Sequence, residues 1–204
     1  MPSLGESVLR GTLGFTLLSV AGFAPWAVAG RWFYRAIGEA GLYVVCAGVF
    51  IALSGPLLHR LIIGPGSLLR FYKLFALAFG AYAIAWIAGW MLVRDHAGSL
   101  TGLLAGTVLM GWILARAFDA GGATLKVVAT LFLLNTIGYF IGGWLEGVAE
   151  AIGKPTGVML AKLLWGVCYG MGLGAGLGLA FHFCQAPARA LLAASRQSAG
   201  TVAQ

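Results

Sequence analysis

Charged side chains are scarce in this chain: Asp, Glu, Lys and Arg make up 9% of its 204 residues, against about 25% in soluble domains. A water-facing surface cannot be built from so few charges. Disorder is excluded on the same ground, since disordered segments are polar and poor in large apolar residues. Cysteine is equally sparse, with Cys46, Cys168 and Cys184 forming no C-x-x-C pair and no even set. That removes a disulfide framework and a thiolate zinc site, and the three read as small packing residues. Long polar segments are missing as well. The widest separator between apolar runs is the 15 residues from His59 to Lys73, so no separate soluble domain fits.

Catalytic patterns are also lacking. There is no H-E-x-x-H motif, and Ser54, followed by Gly55, has His59 five residues on but no paired acid. His59 and His182 fall at one end of their apolar runs and His96 at the other, which is not the facing arrangement that haem ligation needs. The expectation is a protein without catalytic residues, metal or cofactor. The net charge of +7 could suggest nucleic acid, but the bases punctuate apolar runs and form no stripe. They read as topology signals and contacts to anionic lipid headgroups, with membrane lipids as partners and no nucleic acid.

What is present is apolar sequence. The chain is 60% hydrophobic with mean hydropathy +0.93. A spanning helix needs about 20 mostly apolar residues, and such runs cover residues 8–29, 40–58, 74–93, 99–118, 125–145 and 157–183. The expected fold is an all-α integral membrane protein, a compact bundle of six transmembrane helices forming one domain over 1–204, with 184–204 as a cytoplasmic tail. Six spans place both termini on one side. That side holds Arg10, Arg60, Arg70, Lys73, Arg116, Lys126, Arg189 and Arg196; the other holds Arg31, Arg35, Arg94, Lys154 and Lys162. The positive-inside rule then puts both termini in the cytoplasm and the protein in the inner membrane. A competing reading of the start is a secretory signal, since Arg10, the stretch 11–23 and Ala27-Val28-Ala29 resemble one with its cleavage site.

The odd-numbered spans finish alike, at Gly30-Arg31-Trp32, Ala88-Gly89-Trp90 and Gly142-Gly143-Trp144. Their tryptophans lie 58 and 54 residues apart, which suggests one helical hairpin used three times. Trp32, Trp90 and Trp144 are expected as interface anchors, where an amphipathic ring suits the headgroup level.

The last span carries Gly166, Gly170, Gly174 and Gly178 at a strict spacing of four, with Gly172, Gly176 and Ala180 on an adjacent stripe. Residues four apart share a helix face, and bare glycine faces let backbones approach closely in lipid. The stripe is expected to pack a helix, either inside this chain or on a membrane-protein partner or second copy. Polar groups within the runs are few. Asn135 in the fifth span and Lys162, about 7.5 Å into the last, are candidates for a solute path with Glu146, with Glu150 nearby. Arg116 and Asp119 are placed to pair across one helix turn. The favoured function is binding or transport of a small solute through the bundle. The alternative is a non-catalytic accessory or assembly subunit docking through its glycine face.

Overall fold

The computed structural model describes residues 2–151 and 155–202, and all regular structure among them is helical. The long helices are α1 (Leu4–Leu58), α2 (Ser67–Val93), α3 (His96–Ala117), α4 (Thr124–Glu150), α5 (Pro155–Cys184) and α6 (Ala186–Val202). Five of them, α1 to α5, are long and apolar enough to cross a membrane. Large apolar side chains are exposed on their outer faces, including Leu13 (57%), Leu17 (62%), Ile84 (71%) and Leu92 (84%). Soluble monomers rarely carry apolar surface on this scale.

At 55 residues a straight α1 would reach about 80 Å, far beyond a hydrocarbon core of about 30 Å. It is not straight. Ala29 (φ −126°) and Gly38 (φ 72°) leave helical geometry, the latter in the left-handed region that glycine enters without steric cost. The arm after this break runs back along the arm before it: Gly14 lies against Leu57 and Leu58, and Gly22 against the Phe50 ring. The ring centroids of Phe15 and Phe50 are 5.8 Å apart. The sequence expectation of spans at 8–29 and 40–58 thus meets one helix folded into two antiparallel arms, with the separator 31–39 itself mostly helical. The start is fixed by a capping box that the sequence reading passed over. Ser3 Oγ accepts from the Glu6 amide at 3.1 Å, and Glu6 Oε2 accepts from the Ser3 amide at 2.9 Å.

Helix α5 is the centre of the molecule. Gly178, Gly174, Gly170 and Gly166 run antiparallel to the first arm of α1, facing Ser7 and Val8, then Gly11 and Thr12, then Phe15 and Thr16, then Ser19. The neighbouring stripe meets α4, Gly172 lying against Leu134 and Gly138, and Gly176 against Thr130 and Leu131. A similar approach closes α2 on α3, where a Cβ at Gly89 would lie 2.7 Å from Gly102 Cα and one at Gly106 2.8 Å from the Tyr82 carbonyl oxygen. Between these glycine seams stands an aromatic ladder on α2. Phe71 stacks on Phe75 at 5.3 Å, Phe75 on Phe79 at 5.0 Å, and Phe79 leads to Tyr82 at 5.9 Å.

The end of the bundle where α1 begins and α5 finishes is tied by side chains. Gln185, buried between α5 and α6, donates from Nε2 to the Leu61 carbonyl at 2.8 Å and accepts the Ile63 amide on Oε1 at 2.8 Å. Arg70 lies 4.8 Å over the Phe118 ring and Lys126 lies 3.8 Å over Phe183. The region read as a tail is helical from Ala186 to Val202, with Pro187 in its first turn, where a missing amide is tolerated. One expectation changes here. Arg116 and Asp119 do not pair: α3 ends at Ala117, and Asp119 turns into the left-handed region (φ 52°), which carries its side chain off the Arg116 face. Among the described residues the one ion pair is Arg94 with Glu39, at 3.5 Å.

Candidate functional site

At the opposite end the chain turns between the arms of α1, between α2 and α3, and between α4 and α5. Between these turns lies a chamber of about 740 Å3. Its walls come from five helices. The α1 hairpin contributes Phe23, Trp26, Tyr34, Glu39, Tyr43 and Cys46; α2 contributes Trp86 and Trp90; α3, His96 and Ser99; α4, Tyr139, Phe140, Trp144 and Glu146; and α5, Trp165. Five of the chain's seven tryptophans therefore face one space.

The rings hold one another at aromatic contact distances. Trp165 stacks on Tyr169 (5.3 Å, 4°) and meets Phe23 (4.8 Å) and Tyr139 (5.3 Å) edge-on. Trp86 meets Tyr43 and Tyr139 in the same T-shaped way. Such edge-to-face pairs match the positive ring edge to the negative ring face and fix each other's orientation. The position of Trp165 follows from glycine on the facing helix, since Gly142 leaves room for its backbone, with the Trp165 carbonyl 3.0 Å from where a Cβ would stand.

Polar groups are few and mostly engaged. Glu39 Oε2 is 3.5 Å from Arg94 Nη2, and its Oε1 lies 3.5 Å from the Tyr43 hydroxyl. The hydroxyls of Ser99 and Tyr139 are 3.2 Å apart. The α2–α3 turn that carries Arg94 is closed by Asp95, whose Oδ1 caps α3 by accepting the Gly98 amide at 2.7 Å. Deeper in the bundle a cavity of about 50 Å3 shares Phe23, Tyr43, Cys46 and Trp86 with the chamber and is floored by Tyr82 and Tyr169. Beyond it Asn135 Nδ2 donates to the Tyr82 hydroxyl at 2.9 Å, and the Tyr169 hydroxyl donates to the same oxygen at 3.3 Å. Asn135 Oδ1 meets no partner.

The residues singled out from sequence separate into three places. Glu146, Trp90 and Trp144 line the chamber, Trp144 with 68% of its surface exposed. Trp32 stands at the same end outside the wall, 65% exposed. Asn135 is fully buried behind the floor, and Lys162 lies outside the wall with Nζ 4.4 Å over the Trp26 ring. Gly166, Gly170, Gly174 and Gly178 lie on the α1 seam. The side chain of Glu150 and the whole of Lys154 lie outside the described residues. Sequence reading missed Trp26, Trp86, Trp165, Tyr43 and Tyr139. A signal for Trp86 and Trp165 existed: they fall well inside apolar runs rather than at their ends, where interface preference does not account for an indole.

No protein-family model, curated protein or solved structure matches the chain.

Proposed function

We propose that this chain is a six-span protein of the cytoplasmic membrane, both termini inside, that binds a small, largely apolar solute in a chamber opening on the outer side. The chamber carries this reading. Its volume of about 740 Å3 falls in the range of about 300–1,000 Å3 usual for small-molecule sites, and its mainly aromatic wall with a few placed polar groups is the usual composition of such sites. The fold back at Gly38 divides α1 into two arms, each long enough to cross a bilayer, which supports an even number of crossings. The excess of basic residues at the end that gathers Ser7, Leu61 and Gln185 supports its cytoplasmic placement.

The accessory-subunit reading loses its main support, because the glycine stripes of α5 are taken up by α1 and α4 of the same chain.

Two measurements test the proposal. Single cysteines introduced at Ser3 and Gly200, in a background lacking Cys46, Cys168 and Cys184, should both react with an impermeant maleimide only from the cytoplasmic side. Labelling from opposite sides would refute the even count. Because five of seven tryptophans line the chamber, a bound solute should change most of the intrinsic emission of the purified protein in nanodiscs. Native mass spectrometry of the gently extracted protein should show a retained small molecule that the Trp144→Ala variant loses. A bare chain, together with unaltered emission across a panel of aromatic, aliphatic, cationic and anionic solutes, would end the solute reading.

A further inference from the structure

We infer that the occupant of the chamber is an organic cation, a quaternary or protonated amine on an apolar body; this rests on the solute-binding reading above and names its ligand class. Ring faces carry the negative part of the aromatic quadrupole and attract a cation placed over them, tryptophan most strongly. The chamber gathers Trp26, Trp86, Trp90, Trp144 and Trp165 around one space. Among the described residues, the formally charged side chains in its wall are two carboxylates, Glu39 and Glu146. That is the reverse of the chain as a whole, whose formal charge is +7.

Arg94 and Lys162 are not part of the wall: Arg94 Nη2 stands 3.5 Å from Glu39 Oε2, and Lys162 Nζ lies 4.4 Å from the centre of the Trp26 ring. The Lys162 contact also shows the preference at work: an ammonium already lies 4.4 Å from the centre of a chamber indole. An anion entering the same space would meet ring faces and carboxylates in a medium that strengthens repulsion. A neutral solute would gain from burial alone and draw nothing from the ring quadrupoles.

The test uses the full chain in nanodiscs of zwitterionic lipid, with three probes of nearly one shape: phenyltrimethylammonium, its neutral isostere tert-butylbenzene, and benzenesulfonate. Binding is read by tryptophan emission and by calorimetry. Phenyltrimethylammonium should bind saturably and at least about tenfold more tightly than tert-butylbenzene, and benzenesulfonate should not bind. Glu146→Gln should weaken the cation about tenfold and leave the neutral probe unchanged; if that variant does not fold, Glu39→Gln takes its place, and the three-probe comparison needs no variant. Equal or tighter binding of tert-butylbenzene, or any saturable binding of benzenesulfonate, would overturn the cation assignment while leaving a solute chamber in place. Silence from all three probes would remove the cation assignment, and the wider solute panel would then decide the chamber separately.

Discussion

Gly174→Leu should lower the unfolding temperature in detergent far more than a change at an exposed apolar site such as Leu77. A Cβ at Gly174 would stand 2.5 Å from the Gly11 carbonyl oxygen, 2.9 Å from Phe15 Cβ and 3.0 Å from Thr12 Cα. Two of these atoms are backbone, and none is the free end of a side chain that could rotate away. The first arm of α1 must therefore move off α5, and the neighbouring approaches of Gly178 to Ser7 and of Gly170 to Thr16 are lost with it. Overpacking costs about 1–3 kcal/mol, occasionally more, and a leucine at this seam belongs at the upper end. Even Gly174→Ala should destabilise, although alanine is favoured over glycine inside a helix by up to about 1 kcal/mol.

At Gly166 the approach is looser. The nearest atom to an added Cβ is Phe23 Cδ2 at 3.3 Å and the nearest backbone atom, the Ser19 carbonyl oxygen, is at 3.6 Å, so Gly166→Ala should be far milder than Gly174→Ala. Leu77→Ala, at a site 62% exposed to the surroundings, is the control for a lipid-facing change and should be nearly silent. Equal melting of Gly174→Leu and the parent protein would mean that α1 and α5 are not packed as described.

Much of the fold is legible in the sequence because lipid imposes a length and a composition on every helix that crosses it. The runs at 74–93, 99–118 and 125–145 fall inside α2, within one residue of α3, and inside α4. The spacing of four glycines on α5 is visible in the same way, since a helix converts it directly into a bare face. What the sequence conceals is where the chain bends. Gly38 is one of 32 glycines, and only its positive φ marks it as the hinge of α1. Asn135 reads as a polar group in need of a partner, but that partner, Tyr82, is 53 residues away and carries no mark of its own.

The chamber was hidden for a related reason. Its walls come from five helices, and each aromatic taken alone suits an interface or a core. Glu146, Trp90 and Trp144 were singled out for other reasons and meet only because three helical turns end at the same level. Burial, which a sequence does not display, separates Trp165, 7% exposed, from Trp144, 68% exposed.

That difference in burial sets up the second large effect. Trp165→Ala should both destabilise the protein and abolish solute binding, whereas Trp144→Ala should impair binding alone. Trp165 joins the chamber to the core: its ring lies against Tyr169 at 5.3 Å, Phe23 at 4.8 Å, Tyr139 at 5.3 Å and Trp26 at 6.2 Å. It also covers the bare face at Gly142. Truncating a buried tryptophan to alanine typically costs about 3–5 kcal/mol, the spread reflecting how far the site can collapse. Collapse is limited here, because Phe23 is also held by Trp26 and Tyr169, at 6.2 and 5.7 Å. The released volume should join the chamber, and a solute would lose the indole face and the fixed orientation of Phe23 and Tyr139 together. Trp165→Phe should keep part of the stacking on Tyr169 and fall between the two in melting temperature. Thermal unfolding monitored by circular dichroism, with calorimetric titration of phenyltrimethylammonium on each variant, separates the two roles. If Trp165→Ala melts with the parent protein, Trp165 does not carry the chamber floor. If Trp144→Ala binds as the parent does, the exposed rim of the chamber makes no contact with its occupant.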